Sequence, residues 1–172
     1  MVQYSYLSLS EVFLMKKGST LFLKFVICII AIVTLIWLIW FPRLEGRAAN
    51  LDLISIYTDP LIIYAYIGSI PFFVALYQAL KLLAYVDVNK AFSQASVNAV
   101  KNIRNCAITF SGFIVLGILY IRLFVKGEDP VGVTALGIFT TFASLVIATA
   151  AAVFQRLLQN AIDIKSENDL TV

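Results

Sequence analysis

Seven polar side chains near the ends of apolar stretches are the residues with most chemical potential: Tyr77, Gln78 and Lys81, then Arg104 and Asn105, then Gln155 and Arg156. They fall at similar depth in three stretches and predict one polar layer. Cationic, amide and phenolic groups at a membrane surface can bind a lipid headgroup or dock a partner protein. An ordinary interfacial belt has the same composition, because basic and aromatic residues collect there anyway. The chemistry excluded is broader. The chain has no histidine, which removes imidazole acid–base catalysis and most zinc sites. Cys28 and Cys106 sit far apart with no CxxC, so they are expected to be small packing residues rather than metal ligands or a disulfide relay. The carboxylate pairs Glu128–Asp129 and Glu167–Asp169 fall in a turn and a tail, and no glycine-rich phosphate loop or Ser-x-x-Lys pattern occurs. We expect no catalytic residue, no metal and no cofactor.

The elements that must hold this layer follow from composition. Of 172 residues, 61% are hydrophobic and 13% charged, about half the usual charge of a soluble domain, and the charges are clustered. Four stretches between them predict membrane spans at 21–41, 60–81, 105–125 and 130–155. Lipid offers the backbone no hydrogen bonds, so each must be helical. The fold class is therefore an all-α membrane protein: four transmembrane helices in one bundle with cytoplasmic helical extensions. Segment 1–20 precedes the four-helix domain 21–165, and 166–172 is a polar tail expected to fray. Asp59-Pro60 and Asp129-Pro130 each place an N-cap acceptor before a proline at the first helical position. Pro71 is expected to kink span two. Trp37, Trp40, Phe41 and Pro42 make an aromatic end to span one.

Charge sets the orientation. Nine basic residues lie on the side shared by both termini and the middle connection, and four (Arg43, Arg47, Arg122 and Lys126) lie on the other. The positive-inside rule puts both termini and the middle connection in the cytoplasm. Arg122 lies one turn from the outer end of its span and reaches the headgroups by snorkelling. The net charge of +3 is a topology signal and implies no direct nucleic-acid binding. The Lys16-Lys17 pair before a long apolar run reads as an uncleaved signal anchor, and Met15-Lys16-Lys17-Gly18 resembles a second translation start.

Outside the spans, Phe92, Ala95, Ala99, Val100, Ile103 and Ala107 recur at helical spacing. They predict an amphipathic helix that lies on the inner leaflet or runs into span three. Val153, Leu157, Ala161 and Ile164 are expected to carry the stripe of span four onward. These two extensions either pack together as a platform or float separately at the headgroups. An interfacial helical turn is expected around residues 51–56, and a tight hairpin at Lys126–Asp129. Small residues in spans three and four predict the central pair there, with bulkier spans one and two facing more lipid. The surplus on span four also fits a homo-oligomeric contact.

Several segments together resemble a known family: Lys17-Gly18-Ser19-Thr20-Leu21-Phe22-Leu23-Lys24, Ile70-Pro71-Phe72-Phe73 and Leu76-Tyr77-Gln78-Ala79-Leu80-Lys81-Leu82-Leu83. Asn89-Lys90-Ala91-Phe92-Ser93 and the ending Glu167-Asn168-Asp169-Leu170-Thr171-Val172 complete the pattern. They are similar to the bacterial membrane proteins grouped as domain of unknown function 2975, over nearly everything from Lys16 onward. The resemblance implies four transmembrane helices, a place in the bacterial cytoplasmic (inner) membrane, and a regulatory partnership with a small helix-turn-helix regulator, beside which members are encoded. It carries over no ligand or catalytic residue. Beyond membrane lipids, the expected partner is thus a protein at the cytoplasmic face, bound by a non-enzymatic regulatory or interaction subunit. The alternative is a small oligomeric transporter or channel, although no Asp or Glu lies within a span to couple protons.

Overall fold

A computed structural model describes residues 3–44, 57, 59–124 and 130–170. They form four helices: α1 (Gln3–Leu44), α2 (Pro60–Asp87), α3 (Gln94–Phe124) and α4 (Pro130–Leu170). All four are long and apolar enough to cross a membrane. Helix α1 begins at Gln3, ahead of the expected span at 21–41. The polar tail is helical rather than frayed through Leu170. The expected turn at 51–56, the Lys126–Asp129 hairpin and the Asp129 cap lie outside the described residues.

Local chemistry explains the helix boundaries. Asp59 caps α2, its carboxylate accepting from the Leu61 N–H at 2.8 Å, with Pro60 opening the helix. The α2–α3 turn is tight. Asn89 takes the left-handed conformation (φ 57°), and the Lys90 N–H donates back to the Tyr85 carbonyl at 2.9 Å. Ser93 then caps α3, accepting from the Ser96 N–H at 3.3 Å, while the Ser93 and Ser96 hydroxyls both donate to the Lys90 carbonyl. Helix α3 is therefore continuous: the amphipathic segment runs into span three rather than lying flat.

Packing runs between chain neighbours, α1 on α2, α2 on α3 and α3 on α4. The heaviest contact is between α3 and α4, as the small residues foretold. Its basis is a matched repeat. Val97, Val100, Arg104, Ala107, Ser111, Ile114, Ile118 and Ile121 recur at alternating spacings of three and four, and all are buried or half-buried. Gly137, Thr141, Ser144, Ala148, Ala151, Gln155, Leu158 and Ile162 do the same on α4. Two such stripes meet as antiparallel helices in a shallow crossing. At one end Val97, Val100 and Leu158 form a buried cluster with Leu82, Ala151 and Ile162 against it. At the other, a Cβ on Gly137 would lie 2.5 Å from Ile118 Cδ1, so the Ile118 side chain fills the space a larger residue would need there. A second stripe of α3 (Ser96, Ala99, Ile103, Cys106, Phe110, Phe113 and Gly117) lies toward α2, where Tyr64 meets Phe113 and Phe72 meets Phe110.

Three expectations are corrected. The central pair is α2 and α3, each packed on two neighbours, whereas α4 packs on α3 alone and exposes Phe139, Phe142, Leu145 and Val146. Of spans one and two, only the first faces more lipid than the others, since α2 packs on both α1 and α3. The onward stripe of α4 is also out of register: Val153, Leu157 and Ile164 are exposed, and Leu158 with Ile162 faces α3 instead. Similarly, Phe92 is 64% exposed and stands outside the buried face of its segment.

Helix α1 touches α2 at two levels. Lys24 forms an ion pair with Asp87 at the last turn of α2. Far from it, Pro42 lies inside α1 and lacks the N–H that would bond the Leu38 carbonyl. The Tyr66 hydroxyl donates to that carbonyl at 3.2 Å.

Candidate functional site

The seven residues of the expected polar layer come from adjacent levels of α2, α3 and α4 but do not act alike. Gln78, Arg104 and Gln155 are half-buried, and the last two stand in the stripes that join α3 to α4. Tyr77, Lys81, Asn105 and Arg156 are exposed, Tyr77 at 63%. Tyr77 and Lys81 lie four residues apart, hence on one face of α2. Among the described residues, the only hydrogen bonds within the seven run from the Arg104 guanidinium to Asn105 Oδ1, at 3.3 and 3.4 Å.

The buried members carry a polar cost. Gln155 Oε1 is fully buried without a hydrogen-bond partner, as is Thr141 Oγ1 four turns away on the same stripe. The repeat sets Gln155 level with Val100, and Arg104 one turn further along with Ala151. The layer is thus a polar rung inside an apolar seam, with cationic and phenolic groups around its outside. Such an arrangement can hold an anionic group or an acidic protein surface on rigid helices. It offers no nucleophile beside a base.

Sequence reasoning missed the Lys24–Asp87 pair, whose carboxylate and ammonium are each about 30% exposed. A signal existed: Asp87 is the single acid between Asp59 and Glu128, set among Lys81, Lys90, Lys101 and Arg104. The hydroxyl clasp of Ser93 and Ser96 on the Lys90 carbonyl was missed too, and it fixes the turn between α2 and α3. Both cysteines are free thiols. Cys28 is exposed on the outer face of α1, so it is not a packing residue; Cys106 is half-buried in the stripe toward α2.

A larger feature lies at the opposite end. A cleft of about 830 Å³ is lined by residues of all four helices, from Thr34 and Leu38 of α1 to Val133, Gly137 and Thr140 of α4. Its floor is Tyr64, Gly68 and Phe72 of α2 with Phe110, Phe113 and Gly117 of α3.

Comparison with known proteins agrees with this architecture. Residues 44–172 match the family model described as "Protein of unknown function (DUF2975)". A relative, "Uncharacterized membrane protein YoaS" of Bacillus subtilis (strain 168), is 48% identical over 160 residues, covering 92% of this chain and 100% of the relative. No solved structure matches.

Proposed function

The chain belongs to the DUF2975 family, and from that premise we propose that it is a non-enzymatic regulatory or interaction subunit of the bacterial cytoplasmic membrane. On this reading the end bearing the α2–α3 turn faces the cytoplasm, as the distribution of basic residues favours. The partner is a protein, of which a small helix-turn-helix regulator is the instance that family resemblance favours. The observation that carries the reading is the division of the polar layer. Tyr77, Lys81, Asn105 and Arg156 are presented outward, while Val97, Val100 and Leu158 lock together the helices that present them. A rigid scaffold under exposed cations favours recognition over chemistry.

The test is charge reversal. Lys81→Glu with Arg156→Glu is expected to abolish co-purification of a cytoplasmic partner in mild detergent, with thermal stability of the membrane protein unchanged. Undiminished retention of the partner by the double variant would sink this assignment of the site. A transport reading has less support, since the spans hold no acidic residue. Solute flux in proteoliposomes of the purified protein would reverse that order.

A further inference from the structure

The cleft remote from the polar layer lies within the apolar spans, and its residues run from Pro60 to Phe72 on α2 and from Phe110 to Ile121 on α3. At the helical rise, these runs measure about 17–18 Å along the bundle. A single leaflet of the hydrocarbon core is about half of 30 Å. The cleft is therefore as deep as one leaflet. Its volume of about 830 Å³ falls in the range of sites that enclose a whole small ligand.

The chemistry of the wall narrows the occupant. Among the described residues, none that lines the cleft is charged. Of the five hydroxyls among the described lining residues, Tyr64 donates to the Phe113 carbonyl at 2.6 Å, Ser69 to Tyr66 at 2.7 Å and Thr140 to Leu136 at 2.8 Å, which leaves Thr34 and Tyr120. Three of the five protons are spent on the protein's own backbone, so a polar solute would lose its hydration with few donors to replace it. Among the described residues, charges appear at the rim, where Arg122 follows Ile121 and the Asp59 carboxylate caps α2. Apolar walls one leaflet deep beneath a charged rim reproduce the polarity profile of a lipid. The opening is explained by the packing order: α1 packs on α2 and α4 on α3, so the first and last helices flank the cleft instead of sealing it.

We propose that this cleft is a binding site for one acyl chain of a membrane phospholipid, with the headgroup at the rim beside Arg122. The site is independent of the partner surface at the other end. The full chain in nanodiscs of phosphatidylglycerol and phosphatidylethanolamine, doped with a phosphatidylcholine bearing a mid-chain diazirine, provides the test. On irradiation, adducts are expected to concentrate in residues 60–72 and 110–121 and to be competed by unlabelled phospholipid. Ala65→Phe and, from the α4 wall, Thr140→Phe fill the cleft and are expected to lower these adducts about fivefold. Val146→Phe, on an exposed face outside the cleft, is expected to leave them unchanged. Adducts spread evenly over exposed residues such as Phe139 and Val146 would overturn the proposal, as would a disulfide between two copies of an Ala65→Cys variant, which marks an interface instead. The wild-type adduct map decides the matter even where a filled variant fails to fold.

Discussion

Among single residues, Tyr66 has a defined energetic role, because its hydroxyl replaces the backbone donor that Pro42 removes from the Leu38 carbonyl. In lipid no water can take its place. Tyr66→Phe is expected to destabilise the protein by about 1 kcal/mol. In Pro42→Ala the helix supplies its own N–H, so Tyr66→Phe on that background should cost much less. A double-mutant cycle by thermal unfolding in detergent reads the difference, and equal costs on both backgrounds would refute the assignment. Nothing local in the sequence announces this bond. The two residues are remote in the chain, and only the packing of α1 on α2 brings them together. Asp59, by contrast, was legible from its neighbour Pro60 alone, because a cap is a contact between consecutive residues.

For the helices, the same distinction separates what could be read from what could not. The spans were legible because an uncharged stretch of membrane length has one stable conformation in lipid. Which side of each helix faces inward was harder. In water, a buried stripe is apolar and its opposite face polar; in a bilayer both sides are apolar, and residue size becomes the guide. Thus Val153, Leu157 and Ile164 looked like the continuing core of α4, yet the seam runs through Ala148, Ala151, Gln155 and Leu158. The polar Gln155 would be assigned outward by hydropathy. Two glycines separate the cases by experiment. A Cβ on Gly112 meets nothing within 4 Å, whereas one on Gly137 meets Ile118 at 2.5 and 2.9 Å. Gly112→Ala should stabilise by about 0.5–1 kcal/mol through helix propensity, and Gly137→Ala should destabilise by about 1 kcal/mol through displacement of the Ile118 side chain from its packed position. Unfolding curves of the two variants check both signs.

For the whole molecule, the four helices return both ends of the described chain to the end that holds the α2–α3 turn and most basic residues. If that end is cytoplasmic, a thiol at the exposed position 101 is reached by a membrane-impermeant maleimide in inside-out vesicles and protected in intact cells. Lys101→Cys and Arg122→Cys, each in a background lacking Cys28 and Cys106, should give opposite labelling patterns. Labelling of Lys101→Cys in intact cells would invert the topology. The polar layer itself was legible as a set of positions, but not as a division into three inward and four outward side chains, since that depends on the register of α3 against its two neighbours.

The neighbour-by-neighbour order of packing bears on how the protein is made. Each helix leaving the ribosome finds its main partner in the segment synthesised just before it, so the principal contacts do not wait for a distant part of the chain. The loops to be closed are short, and their entropic cost is correspondingly low. Helix α1 alone enters the bilayer with nothing to pack against, and its outward-pointing large side chains suit that interval. Nascent α2 then brings Asp87 to Lys24 and Tyr66 to Leu38. Assembly can thus proceed as an ordered stacking in step with translation.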